Sequence, residues 1–96
     1  MTNENIVYSL PKVAVIILNW NGKDDTLECL ASIKKLDYSN YEIILVDNGS
    51  VDGSVDAILK QYPDVTQMQT GENLGYAGGN NVGIRLALEH EAEFIL

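Results

Sequence analysis

The sequence predicts an α/β fold in which a mostly parallel sheet of roughly four strands is covered by helices on both faces. Two near-continuous apolar runs, 13–18 and 42–46, have the composition of strands covered on both sides, and 65–69 is a weaker third run. A turn rich in Gly, Asn and Asp follows each run, and a stretch with helical spacing of apolar residues comes next. This alternation is typical of parallel strands joined by helical crossovers.

The first half of the chain is predicted to hold two strands and one helix. Residues 1–11 are interpreted as a flexible leader, and the folded part is expected over 12–96. The first strand follows at 13–18. Asp24 or Asp25 is expected to begin and cap the first helix, because short acidic side chains accept hydrogen bonds from N–H groups there. The second strand is expected at 42–46.

The second half is predicted to hold two helices and two strands. One helix begins near Ser54 and ends before Pro63, and a polar edge strand follows. The last helix is expected over 77–91, although its three glycines are poor helix formers and require close packing or the approach of a ligand. A fourth strand opens at 92–96, so we expect the front part of a longer protein. The predicted strand order is 3-2-1-4, with the switch point between the first and fourth strands.

Composition excludes several functions. The 96 residues are enough for one small domain, and 14 acidic against 6 basic residues give a net charge of −8. Binding to nucleic acid or to an anionic membrane surface is therefore not expected. No apolar stretch is long enough for a transmembrane helix. Cys29, the single cysteine, is expected to be buried; it fits a cytoplasmic location, and membrane association of a full-length parent stays open.

Polar turns after the strands are the candidate site. Carboxyl ends of parallel strands share one edge of the sheet, so Asn19, Asp47 and Asn73 are expected to gather around one hollow. Trp20 either offers a stacking face or packs beneath a helix. Asp47 either binds a ribose or base, or holds its own loop.

Other chemistries have no support in the sequence. Dinucleotide-binding and P-loop glycine patterns are absent, and no catalytic residue or metal site is predicted. His90, the only histidine, is expected at the surface, and Arg85 is expected to pair with Glu89.

Three segments taken together resemble the family 2 glycosyltransferases. They are VIILNWNG at 15–22, ILVDNGSVDGS at 44–54 and NLGYAGGNNVG at 73–83. The resemblance covers 12–96. It implies a three-layer, Rossmann-like GT-A fold of the nucleotide-diphospho-sugar transferase type, truncated after the fourth strand.

The resemblance also implies a set of nucleotide-binding residues. The first turn and the acid after the second strand would embrace the base and ribose, and the glycine-rich segment would border the diphosphate. The positions that carry over are Asn19, Trp20, Asn21, Asp47, Asn73, Gly75, Gly78, Gly79, Asn80 and Asn81. Many members have an arginine where this chain has 79–81, a variant that is similar to the rhamnosyltransferase branch. A dTDP- or UDP-sugar donor is therefore expected.

The activity implied for a full-length parent is transfer of a sugar from a nucleotide-diphosphate sugar to a hydroxyl acceptor, with Mg²⁺ or Mn²⁺. The family's metal-binding motif would follow Leu96, so the chain alone is expected to bind nucleotide weakly and to be inactive. An apolar sheet edge at 94–96 predicts a homo-oligomer. The alternative is a non-enzymatic, flavodoxin-like regulatory or interaction module, in which the polar turns are only loop chemistry.

Overall fold

A four-stranded parallel sheet forms the centre of the protein. The computed structural model describes residues 10–96; the predicted leader over 1–11 lies for the most part outside this range. The strands are β1 (Val13–Asn19), β2 (Tyr41–Asp47), β3 (Thr66–Gln69) and β4 (Phe94–Ile95). Their order in the sheet is β3-β2-β1-β4, and all three pairings are parallel. The predicted order, the edge position of β3 and the switch point between β1 and β4 are confirmed.

Three helices cover the sheet: α1 (Lys23–Lys34), α2 (Ser54–Gln61) and α3 (Gly75–Glu89). Side chains alternate along each strand, so β2 sends Ile43 and Leu45 into one core and Ile44 and Val46 into another. The first core contains residues of α1 and α2, and the second contains Ala87 of α3. The fold is therefore the predicted three-layer α/β arrangement.

Two helix starts differ from the prediction. Gly22 is the N-cap of α1 and makes no side-chain cap, so Asp24 and Asp25 lie inside the first turn. Their carboxylates interact favourably with the positive end of the helix dipole there, but they do not cap the helix. Helix α3 begins at Gly75, two residues earlier than expected, where Asn73 Oδ1 accepts a hydrogen bond of 2.8 Å from the Gly75 N–H.

Close packing on the sheet explains two of the glycines in α3. A Cβ on Gly83 would lie 2.7 Å from Ile16 Cγ2 and 3.1 Å from Val46 Cγ2. A Cβ on Gly79 would overlap Leu18 Cδ1 and lie 3.0 Å from Asn48 Nδ2. Both glycines are buried. Of the two reasons that the sequence left open, backbone packing is therefore sufficient for these positions.

Two expectations about single residues are wrong and a third is met in part. Cys29 is exposed, because Thr26 and Leu30 define the buried side of α1. His90 is at the surface with 37% of its side chain exposed, but its ring contacts Glu42. Arg85 and Glu89 form no ion pair within residues 10–96.

A polar cluster fastens the amino edge of the sheet, opposite the polar turns. Thr66 Oγ1 donates a hydrogen bond of 2.7 Å to Glu42 Oε2, and His90 Nδ1 lies 2.8 Å from the same oxygen. Lys12 Nζ lies 3.6 Å from Glu42 Oε1 and donates to the His90 carbonyl oxygen. Glu42 therefore joins β2 to β1, to β3 and to the end of α3.

The pKa of Glu42 predicts loss of stability in acid. Burial alone raises this pKa, but the hydrogen bonds from Thr66 and His90 and the charges of His90 and Lys12 outweigh it, so the pKa lies below its ordinary 4.5. A depressed carboxyl pKa stabilises the fold above the unfolded value, and this stabilisation is lost as pH falls through the folded value. In urea unfolding from about pH 6 down to about pH 3, we expect the wild type to lose more stability than Glu42→Gln. Equal losses would contradict this role of Glu42.

Replacing Gly83 by alanine tests the packing of α3. The added methyl has no space against Ile16, so we expect a loss of about 1–2 kcal/mol in the free energy of unfolding, measured by urea denaturation. Asn81→Ala, at an exposed position of the same helix, is the control and should be neutral or slightly stabilising. A Gly83→Ala variant as stable as the wild type would show that α3 does not depend on this close approach.

Candidate functional site

The three polar turns meet at the carboxyl edge of the sheet. Asn19 and Asp47 are register partners at the ends of β1 and β2, and Asp47 faces Gln69 at the end of β3. The Asn48 N–H donates to the Asn19 carbonyl oxygen at 2.8 Å, and the Thr70 N–H donates to that of Asp47 at 2.9 Å. Residues distant in sequence therefore form one continuous rim.

Asn19 is the central side chain of the rim and is only 1% exposed. Its Nδ2 donates hydrogen bonds of 2.8 Å to Asp47 Oδ1 and to Ser54 Oγ, while its Oδ1 accepts one of 2.7 Å from Thr26 Oγ1. Thr26 belongs to α1 and Ser54 to α2. One carboxamide thus fixes two strands and two helices relative to each other, and its polar atoms are turned inward.

Asp47 holds the loop that follows β2. Its Oδ2 accepts a hydrogen bond of 2.9 Å from the Ser50 N–H, and its Oδ1 accepts bonds from Ser50 Oγ and Asn19 Nδ2. The side chain is buried. Within the chain, the contacts of Asp47 are therefore those of a residue that holds its own loop.

Asn48 performs the equivalent task on the opposite face of the sheet and is also 1% exposed. Its Oδ1 accepts hydrogen bonds from Thr70 Oγ1 and from the Leu74 N–H, at 3.0 and 3.2 Å. Its Nδ2 donates to Asn73 Oδ1 and to the Gly75 carbonyl oxygen. The loop after β3 and the start of α3 are therefore tied to the end of β2. The sequence motif contained Asn48, but its position beside Asp47 alone did not reveal this role.

Trp20 and Asn21 lie on the outer side of the rim. Trp20 is 54% exposed, so of its two alternatives the one in which it packs beneath a helix is wrong. Asn21 is exposed with a φ of 50°. Its Oδ1 accepts a hydrogen bond of 2.8 Å from the Val51 N–H, and its own N–H donates to Ser50 Oγ. Asn21 thereby clips the β1–α1 loop to the β2–α2 loop.

The glycine-rich segment divides between two environments. Gly79 is buried against the sheet, Gly78 is half-buried, and Asn81 and Gly75 are exposed. Asn80 lines a hollow of about 350 Å³ beside the switch point of β1 and β4, together with Tyr76, Ile16, Ile84, Ile95 and Leu96. Tyr76 is 80% exposed and was not singled out from the sequence. The sequence feature that could have identified Tyr76 is an aromatic residue directly after the turn glycine Gly75.

Two further hollows differ in their position on the molecule. One of about 420 Å³ lies at the carboxyl edge, between Asp47, Gly49 to Val51, the start of α2 and Gly71. A slightly larger one of about 470 Å³ lies at the amino edge, lined by residues such as Lys34, Glu42 and Asp64. Only the first adjoins the polar turns, so volume alone does not identify the candidate site.

Neither a metal cluster nor a membrane-spanning helix is found in the part of the chain that the structure describes. No three His, Cys, Asp or Glu side chains over residues 10–96 come together in a way that could hold a metal ion. No helix over the same residues has the length and apolar character needed to cross a membrane.

The internal role of Asn19 leads to a stability prediction. Asn19→Ala removes the hydrogen bonds that its side chain makes to Thr26 and Ser54 and one of those that Asp47 accepts, so we expect a loss of about 2–3 kcal/mol in the free energy of unfolding. Asn21→Gly removes an exposed clip without adding strain at the positive φ of that residue, and it should cost only about 0.5–1 kcal/mol. Urea unfolding of both variants measures the difference. Equal losses would contradict the central position of Asn19.

Comparisons with known proteins agree with this architecture. The model of the family described as "Glycosyl transferase family 2" matches residues 14–90. Glycosyltransferase GlyG of Streptococcus pneumoniae serotype 4 is 36% identical over 78 residues, which are 78% of this chain and 26% of that protein. An N-acetylglucosaminyl-diphospho-decaprenol L-rhamnosyltransferase of Mycobacterium tuberculosis is 40% identical over 52 residues, covering 54% of this chain and 17% of that enzyme.

A solved structure gives the same result at the level of the fold. The mannosyltransferase PcManGT from Pyrobaculum calidifontis, in complex with GDP-Man and Mn²⁺, matches with a TM-score of 0.67 and 30% identity, over 80% of this chain and 24% of that one. The chain spans about a quarter of the length of GlyG. With the family model matching most of its length, this chain belongs to glycosyl transferase family 2 and has its GT-A type of fold.

Proposed function

We propose that this chain is the nucleotide-sugar-binding part of a glycosyltransferase whose full-length form transfers a sugar from a nucleotide-diphosphate donor to a hydroxyl acceptor. The observation that carries the proposal is the rim itself, in which the three family motifs converge at the carboxyl ends of β1, β2 and β3. Open α/β sheets bind ligands at this edge. The related mannosyltransferase, solved with GDP-Man and Mn²⁺, supports the class of donor.

The rim residues divide into those that hold the shape of the site and those that are assigned to contact the ligand. Asn19, Asp47 and Asn48 have their polar side-chain atoms bonded within the chain, so they set the shape of the site. Trp20 and Tyr76 are 54% and 80% exposed, and we assign them the stacking contacts with the base or sugar.

The remaining predicted positions border the same surface. Asn21, Asn73 and Gly75 line the loop tips, and Gly78, Gly79, Asn80 and Asn81 form the first half of α3. The chain carries a net charge of −8, so a diphosphate needs local positive potential. Backbone N–H groups at the start of α3 supply it. Gly79 acts by letting α3 approach the sheet, not by touching the ligand.

The donor is proposed to be a UDP- or dTDP-sugar, with rhamnose as the sugar. Similarity to the mycobacterial rhamnosyltransferase over 52 residues supports this choice, and GDP-mannose is the natural competitor because the mannosyltransferase relative holds it. A full-length parent would use Mg²⁺ or Mn²⁺, which stabilises a leaving diphosphate when bound. Residues 10–96 bring no ligand set for it together, so no step is assigned to a metal on this chain.

The chain by itself is proposed to bind nucleotide weakly without transferring sugar, since it corresponds to about a quarter of the length of its relative GlyG. We place the activity in the cytoplasm. Phe94 of the edge strand β4 and the adjoining Leu96 are exposed, and pairing of this edge with a second copy would cover them. A homo-oligomer is therefore part of the proposal.

Trp20 fluorescence tests nucleotide binding directly, since it is the only tryptophan. Titration with UDP, dTDP and GDP is expected to give saturable quenching, strongest for UDP or dTDP. Tyr76→Ala removes a side chain that is 80% exposed, so we expect about a three- to tenfold weaker apparent affinity with little change in stability.

A matched control separates contact from general surface effects. Leu88→Ala removes another exposed apolar side chain of α3, far along the helix from the rim, and should bind like the wild type. Absence of quenching by all three nucleotides up to millimolar concentration, in a chain shown by circular dichroism to be folded, would refute the proposal for this chain.

A further inference from the structure

The dipeptide Asn-Gly occurs twice in the chain, and both copies lie in the rim. Asn21-Gly22 lies in the β1–α1 loop, and Asn48-Gly49 lies in the β2–α2 loop. Asn-Gly is chemically special because a glycine has no side chain to hinder attack of its backbone nitrogen on the preceding carboxamide. The fold places these two copies in opposite environments.

Asn48 is protected by its surroundings. Its carboxamide is 1% exposed and makes four hydrogen bonds, which hold the side chain away from any other geometry. Reaction at Asn48 therefore requires a local opening of the rim, and the free energy of that opening lowers the rate.

Asn21 lacks this protection. It is exposed, its Oδ1 makes one hydrogen bond to the Val51 N–H, and its Nδ2 donates no hydrogen bond within residues 10–96. The side chain can leave its single contact without opening the core.

We propose that Asn21 is a site of spontaneous deamidation and isomerisation, and that the fold protects Asn48. The Gly22 nitrogen, losing its proton to hydroxide, attacks Asn21 Cγ; the Cγ–Nδ2 bond breaks and ammonia leaves, giving a cyclic imide. Water then opens the imide at either carbonyl, which yields aspartate or isoaspartate at position 21. Nothing is oxidised or reduced in either step.

The products change the rim in two ways. Aspartate keeps an acceptor for the Val51 N–H but adds a charge to a hollow that already contains Asp24, Asp25 and Asp52 beside Lys23. Isoaspartate inserts the side-chain methylene into the backbone, so the clip between the β1–α1 and β2–α2 loops is lost. The modification thus acts on the loops next to Trp20, whether or not the chain binds nucleotide.

The test is incubation of the full chain in mildly alkaline buffer, followed by trypsin and mass spectrometry. Cleavage after lysine separates Asn21 (peptide 13–23) from Asn48 (peptide 36–60). We expect deamidation and an isoaspartate doublet at Asn21, with Asn48 reacting at least about tenfold more slowly. In urea, where the protection is removed, both positions should react at similar rates.

Gly22→Ala is the matched control. Gly22 has a φ of −117°, which alanine adopts readily, and a Cβ there would have its nearest neighbour at 3.4 Å, so the variant should fold. The added methyl hinders attack by the nitrogen, so reaction at Asn21 should be clearly slower than in the wild type, both in native buffer and in urea. The proposal is overturned if native Asn48 reacts as fast as Asn21, or if native Asn21 is as slow as Asn48 while both react in urea. The urea comparison decides even if the variant does not fold.

Discussion

The hydrogen bond between the buried side chains of Asn19 and Asp47 is the contact on which the carboxyl edge of the sheet depends. It joins the last residues of two neighbouring parallel strands, and the same carboxamide reaches Thr26 and Ser54 at the starts of two helices. Because these groups are buried, losing one partner leaves the others unpaired in a medium where that is costly. The position of each loop therefore depends on the others.

A second carboxamide repeats this arrangement on the other face of the sheet. Asn48 ties the loop after β3 to the end of β2, while Gly79 and Gly83 let α3 lie close enough for those bonds to form. On the proposed function, rigid support and ligand contact are separate tasks of adjacent residues. For a flexible, charged ligand such as the proposed nucleotide-sugar, preorganisation of this kind would reduce the entropy lost on binding.

The sequence predicted the strands because the hydrophobic pattern that marks them is local. Their order and the convergence of the turns followed from the rules for parallel strands joined by helical crossovers. It also left open whether glycines serve packing or ligand approach, and the positions of Gly79 and Gly83 against Leu18 and Ile16 answer that question. What it missed depends on residues distant in sequence: the His90 ring contacts Glu42, and the exposure of Cys29 depends on which side of α1 meets the sheet. Asp47 shows a further limit of prediction from sequence, since a motif identifies the residue but does not say which partners its oxygens bind.

The exposure of Trp20 and Tyr76 has a consequence for how such a protein changes over time. Both side chains are largely exposed, while the rim is held by buried carboxamides and by hydroxyls. On the function proposed above, substitutions at these outer positions would alter which molecule is preferred and would cost the fold little stability. A lineage built on this scaffold would then reach new donors by single steps, without first acquiring compensating changes in its interior.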